Sequence, residues 1–237
     1  MKTYIWTLPT RLFHWLLAIS FAVAYLLGGE ENYLSLHAAM GSFIGSLILF
    51  RIIQGIAGPR YARFRDFPVS PASLKLFITS MKQSKASHPG HNPLASVIMI
   101  CIMFTAIISA VSGMLIFATG ETGIFGIRIN PGFNADVVGE VHEVVVNIFL
   151  ILVGVHLTGI LADTLFHRAN GTIFSIFTGY KNIQAQEARL SSGQKIFSVF
   201  WFIIPAAIFF YVLMYQPVPA GENENTEQVK DNDNDED

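Results

Sequence analysis

Four histidines of this chain, His14, His37, His142 and His156, stand in or at the ends of long apolar runs. An ionisable side chain there costs a few kcal/mol, so each is a functional residue by default. Imidazole in such a setting can carry protons or ligate a metal. The ordinary alternative, equally good for any one of them alone, is a neutral ring bonded to a nearby backbone carbonyl. Spacing is more informative. His142 and His156 share one run, and on a helix their separation is about 21 Å along the axis and only ~40° around it.

The elements that position them follow from composition. Of 237 residues, 52% are hydrophobic and 14% charged, against about a quarter charged in soluble domains. Five apolar runs reach or approach the ~20 residues that a membrane-crossing helix needs: Leu12–Leu27, Leu36–Ile56, Leu94–Ala118, Val137–Leu165 and Ile196–Tyr215. Backbone groups in lipid must be paired within the segment, so each run is read as a helix. Ala22-Val23-Ala24 resembles a signal-peptide cleavage site, but four more spans follow it.

Thirteen Lys and Arg fall on one side of this topology. They are Lys2, Arg11, Arg51, Arg60, Arg63, Arg65, Lys75, Lys82, Lys85, Arg168, Lys181, Arg189 and Lys195; Arg128 and Lys230 lie opposite. The positive-inside rule places the N-terminus in the cytoplasm of a bacterial inner membrane and the C-terminus in the periplasm.

Two pairs at two depths result. His14 enters early in span one and His156 lies deep in span four, both toward the cytoplasm. His37 opens span two and His142 opens span four, both toward the outside. Each pair comes from different helices, leaving a gap that a flat macrocycle can fill. A zinc site would gather three or four ligands at one point, whereas haem iron takes two axial ligands on opposite faces. The arrangement therefore points to two non-covalent b-type haems, with His14/His156 and His37/His142 as iron ligands. No catalytic residue is assigned, because iron with both axial positions filled offers substrate no open site.

The single cysteine, Cys101, excludes an internal disulfide, a Cys-x-x-Cys-His haem attachment and a four-thiolate iron–sulfur cluster within this chain. Its natural role is a small apolar one. Gly41 and Gly45 share a helix face with His37, which suits either close approach of a porphyrin or a helix–helix contact. Arg11, Arg51 and Arg60 suit haem propionates, although topology alone explains them. Glu140 and Glu143 flank His142 as a solvated helix end or as outer partners of its ring. His88, His91 and His167 sit at the cytoplasmic edge; Asn92 before Pro93 is an ordinary helix start, so His91 needs no ligand role.

Ser70 before Pro71 starts a short cytoplasmic helix, with Leu74, Phe77, Ile78 and Met81 toward the membrane surface and Lys75, Lys82 and Lys85 beside them. The Gly- and Asn-rich segment Thr119–Asp136 faces outward. After Gln216 come eight acidic residues and one Lys, a composition that does not fold alone. No nucleic-acid motif is present.

At these residues the chain resembles the bacterial cytochrome b561 family, which includes the cytochrome b subunits of nickel–iron hydrogenases. The matching stretches are Trp6-Thr-Leu-Pro-Thr-Arg-Leu-Phe-His14-Trp15, the His37 to Arg51 pattern and Gly58-Pro-Arg-Tyr-Ala-Arg-Phe64. Gly90-His-Asn-Pro-Leu94, the two span-four histidines and Thr178-Gly-Tyr-Lys181 continue them. The resemblance implies an all-α, integral membrane four-helix haem-binding bundle, with the fifth transmembrane helix added outside the family pattern. It implies residues 1–181 as the di-haem domain; outside the resemblance, hydropathy and composition give 182–216 as connector and fifth helix and 217–237 as an acidic periplasmic tail.

It also implies electron transfer between the quinone pool and a partner redox protein, with quinone as a candidate substrate. The opening and Gly58–Phe64 motifs resemble the general b561 branch, so a periplasmic cytochrome c ranks before a hydrogenase as partner. Whether the chain is itself an enzyme stays open, as does a homodimer. The reading from another class is a non-redox membrane anchor or a transporter using histidine for protons. That reading expects acids scattered through the span centres, where they are almost absent here.

Overall fold

The computed structural model describes residues 2–80, 88–119, 134–166 and 170–215. Thus Met81, Lys82, Lys85, Arg128, His167, Arg168, most of the outer segment after Thr119 and the acidic tail lie outside the described residues.

Helices dominate. They are α1 (Leu8–Leu26), α2 (Leu34–Ala57), α3 (Pro71–Ser80), α4 (Pro93–Thr119), α5 (Ala135–Phe166), α6 (Thr172–Thr178) and α7 (Ser192–Tyr215). Five of them, α1, α2, α4, α5 and α7, are long and apolar enough to cross a membrane. The all-α membrane bundle therefore holds, and its five spans are those expected from the apolar runs. The only sheet among the described residues pairs β1 (Thr3–Tyr4) with β2 (Tyr180–Lys181), antiparallel. Through it the start of α1 is tied to the chain that leaves α5 and α6.

Local signals account for the helix ends. Pro9 stands in the first turn of α1, where its missing N–H breaks no bond. Ser70 Oγ accepts from the Ser73 N–H at 3.1 Å, and Asn92 Oδ1 accepts from the Ala95 N–H at 2.8 Å; each satisfies an orphan donor of the helix it caps. In α3, Phe77 is buried while Leu76 and Ile78 are exposed, a short helix holding one face to the protein and leaving apolar side chains outward.

The spans surround α2, which packs against α1, α4 and α7, while α5 packs along α4. Across the middle, the Phe21 ring of α1 meets Phe149 of α5 at 4.3 Å between centroids. Two hydrogen bonds set the α1–α2 register. Gln54 Nε2 donates to Thr10 Oγ1 at 3.3 Å near one surface, and His37 Nδ1 lies 2.9 Å from the Ala24 carbonyl near the other.

The fifth span is built onto α2 by aromatic packing. Fully buried Phe50 stacks on Phe197 at 5.8 Å and meets Phe202 at 5.0 Å. Trp201 Nε1 donates to the Ser46 carbonyl at 3.2 Å. Gln194 Nε2 donates to the Ala57 carbonyl at 2.8 Å, satisfying one of the acceptors left at the end of α2.

Candidate functional site

The four intramembrane histidines come together in two groups. In the first, His37 of α2 faces His142 of α5, with ring centroids 6.2 Å apart and ring planes at 78°. Each ring is held from behind through Nδ1. His37 Nδ1 lies 2.9 Å from the Ala24 carbonyl, and His142 Nδ1 lies 3.0 Å from both the Ser109 carbonyl and Ser112 Oγ. A carbonyl can only accept, so Nδ1 carries the proton in both rings and the Nε2 lone pairs stay available. This is how proteins fix a metal-ligating imidazole.

The spacing suits one ion held from two sides. A bond from metal to imidazole nitrogen is about 2 Å, and two such bonds, with half a ring at each end, bring the centroids to about 6 Å. Among the described residues no three His, Cys, Asp or Glu side chains gather as a metal cluster.

An apolar cavity of about 1000 Å³ opens around this pair, between α1, α2, α4 and α5. Small residues make the room. A Cβ built on Gly41, in the cavity wall, meets nothing within 4 Å, whereas one on Gly45 comes 3.3 Å from Ala110 of α4. The two readings of that glycine pair are therefore divided between them: Gly41 opens space, and Gly45 brings α4 close. On α4, a Cβ at Gly113 would stand 3.1 Å from the His142 ring, so glycine lets that imidazole lie against the helix. Glu143 is exposed on the cavity's edge. Backbone acceptors behind the ring pair, small residues and an apolar cavity form a set that a haem fits.

The second group lies toward the other end. His14 and His156 are half-buried and close enough for their charges to interact. His14 Nδ1 is buried without a hydrogen-bond partner among the described residues, and the ring meets Trp15 edge-on at 5.3 Å. The rise along α5 separates His156 from His142 by about 21 Å, so the two groups sit at different depths.

Sequence reasoning missed several neighbours of this second group. His91, read as an ordinary residue before a helix, packs its ring 4.8 Å from Trp6 and 5.0 Å from Phe67. Burial, then the charges of Arg51 and Lys181, hold it well below the usual histidine range, so it is neutral at pH 7. Arg51 is 3% exposed, with its guanidinium 5.1 Å above the Phe64 ring. Phe64 can lie there because residue 55 is glycine: a Cβ at Gly55 would stand 2.2 Å from that ring. Arg11 donates to the Phe177 carbonyl, and Arg60 is exposed at a separate surface cavity. Cys101 is half-buried.

Also unforeseen was the part played by α7: its Ile208, Tyr211 and Val212 line the cavity that contains His37 and His142.

A family model described as prokaryotic cytochrome b561 matches residues 5–179, about three-quarters of the chain, ending just before β2. No curated protein and no solved structure matches the chain.

Proposed function

Because the chain belongs to the prokaryotic cytochrome b561 family, a group of membrane b-type cytochromes, we propose that it carries single electrons between the quinone pool and a periplasmic redox partner, through two haems. The observation that carries this reading is the pair His37–His142, edge-on at 6.2 Å with both Nδ1 atoms engaged from behind. A second pair, His14–His156, lies about 21 Å deeper along α5. Bound haem supplies reversible one-electron iron chemistry, and the rest is the protein's work.

That work is positional. Ala24, Ser109 and Ser112 fix tautomer and ring orientation at the outer pair, and would hold both imidazoles still for a haem that supplies the one-electron chemistry. Apolar walls from α1, α2, α4, α5 and α7 exclude water. A dry, preorganised site with both ligand positions supplied by protein favours electron transfer over binding of oxygen or substrate. In this reading His14 and His156 serve the cytoplasmic side and His37 and His142 the periplasmic side, in line with the positive-inside rule. Residues 1–181 form the di-haem unit, with α7 and the acidic tail as additions to it.

The partner we favour is a periplasmic cytochrome c, since the acidic segment after Gln216 would lie on that side and can steer a basic protein. The test is spectroscopic. Membranes bearing the protein, oxidised and then given a quinol, should develop a reduced b-type haem band, and a basic cytochrome c added to the periplasmic face should discharge it. If dithionite brings up a band but quinol does not, the quinone link fails. A complete absence of haem would favour the anchor reading.

A further inference from the structure

Next to the inner histidine group, two cations are buried without an ion-pair partner among the described residues. Arg51 and Lys181 are 3% and 6% exposed. Neither takes part in any ion pair among the described residues, where Arg63–Asp66 and Arg189–Glu187 are the pairs formed. Arg51 Nη2 reaches only the Met99 sulfur, at 3.9 Å, and its buried Nη1 has no partner among the described residues. Lys181 Nζ donates to the carbonyls of Gly90 at 3.1 Å and His88 at 3.4 Å.

Between the cations lies a continuous aromatic layer. The Arg51 guanidinium is 5.1 Å from the Phe64 centroid and 5.8 Å from that of Phe67. Phe67 meets His91, His91 meets Trp6, and the Trp6 ring is 5.6 Å from Lys181 Nζ. His91 Nδ1 is likewise buried and unpartnered among the described residues. Burial pushes the Lys181 ammonium down to about 8, and the Asp163 carboxylate opposes that shift.

Unpaired buried charge is among the most expensive features that a fold can hold. A chain that keeps two such cations and a free imidazole nitrogen on one aromatic floor has a place for an anion. Gln54, one turn after Arg51, donates to Thr10, one turn before His14, at 3.3 Å, so the place adjoins the inner histidine pair. A haem bears two carboxylates at one edge, and guanidinium is well suited to carboxylate.

We propose that Arg51, Lys181 and His91 form the seat for the propionate carboxylates of the inner haem. The proposal rests on the di-haem reading and goes beyond it by assigning an anion site to residues that topology alone would explain. Arg51 acts here as a positioning residue and sets the charge balance at one iron only.

The test uses the full-length, haem-loaded protein in detergent. Redox potentiometry should resolve two midpoint potentials in the wild type. In Arg51→Gln, one should fall, because an uncompensated carboxylate favours ferric iron, while the other stays; Arg51→Lys should recover part of the shift. Both potentials unmoved, or both moved together, would overturn the assignment.

If Arg51→Gln loses the inner haem instead, haem-depleted full chain is reloaded with haem or with haem dimethyl ester. The wild type should bind the acid more tightly than the ester, by about 10- to 100-fold for one charged hydrogen bond. Arg51→Gln should lose most of that preference. Equal preference in both proteins would overturn the seat, and absence of haem from the wild type would overturn the di-haem reading beneath it.

Discussion

Replacing His142 with alanine should remove one haem of two and leave the other spectrally intact. Among the described residues His37 and His142 are the imidazoles that meet at the outer pair, at 6.2 Å. Alanine leaves a void beside Gly113 where the His142 ring stood. The expected result is a fall of about half in the b-type absorbance, two axial ligands being needed per iron. Haem per chain, measured on purified protein, checks it. Since the hydrophobic core around Phe13, Leu47, Ile48, Phe50 and Phe149 does not include His142, the fold should persist. Equal loss of both haems would mean that the ring pairs are not independent sites.

Replacing His156 with alanine should produce the complementary loss, with a larger functional effect. His156 and His14 interact with each other and with His91, and none of the three lies near the outer cavity. The outer haem should remain, reducible by a small chemical reductant, while electron flow between the two membrane surfaces stops. The remaining gap along α5 is about 21 Å. Spheroplasts or oriented vesicles with an electron donor confined to one side check this outcome. Transmembrane electron flow surviving in His156→Ala would contradict the two-step arrangement.

How much was legible beforehand depends on what each feature rests on. Spans rest on local hydropathy, and the five helices appear within a few residues of the apolar runs. The errors sit at polar ends. The first helix starts at Leu8 rather than Leu12 and the last at Ser192 rather than Ile196, because Pro9, Thr10, Arg11 and Gln194-Lys195 are helical without being apolar. Histidine pairing rests on helix order and depth, which spacing encodes, so His37 with His142 and His14 with His156 were both expected neighbours.

The burial of the cations was not legible. Lys181 read as an inner-surface topology signal and Arg51 as that or as a partner of haem propionates, and only the long-range packing of Trp6, Phe64, Phe67 and His91 removes them from water. Likewise, nothing local to Ile208, Tyr211 or Val212 says that a helix outside the family pattern walls the outer cavity.

Electron transfer through this bundle, as proposed, requires two separate irons, each held between a pair of imidazoles. Quantitative electron paramagnetic resonance of the fully oxidised, purified protein tests this most directly. Two low-spin ferric centres per chain, with no high-spin signal, is the predicted spectrum. A single centre per chain, or a high-spin signal from iron with a vacant axial position, would contradict it.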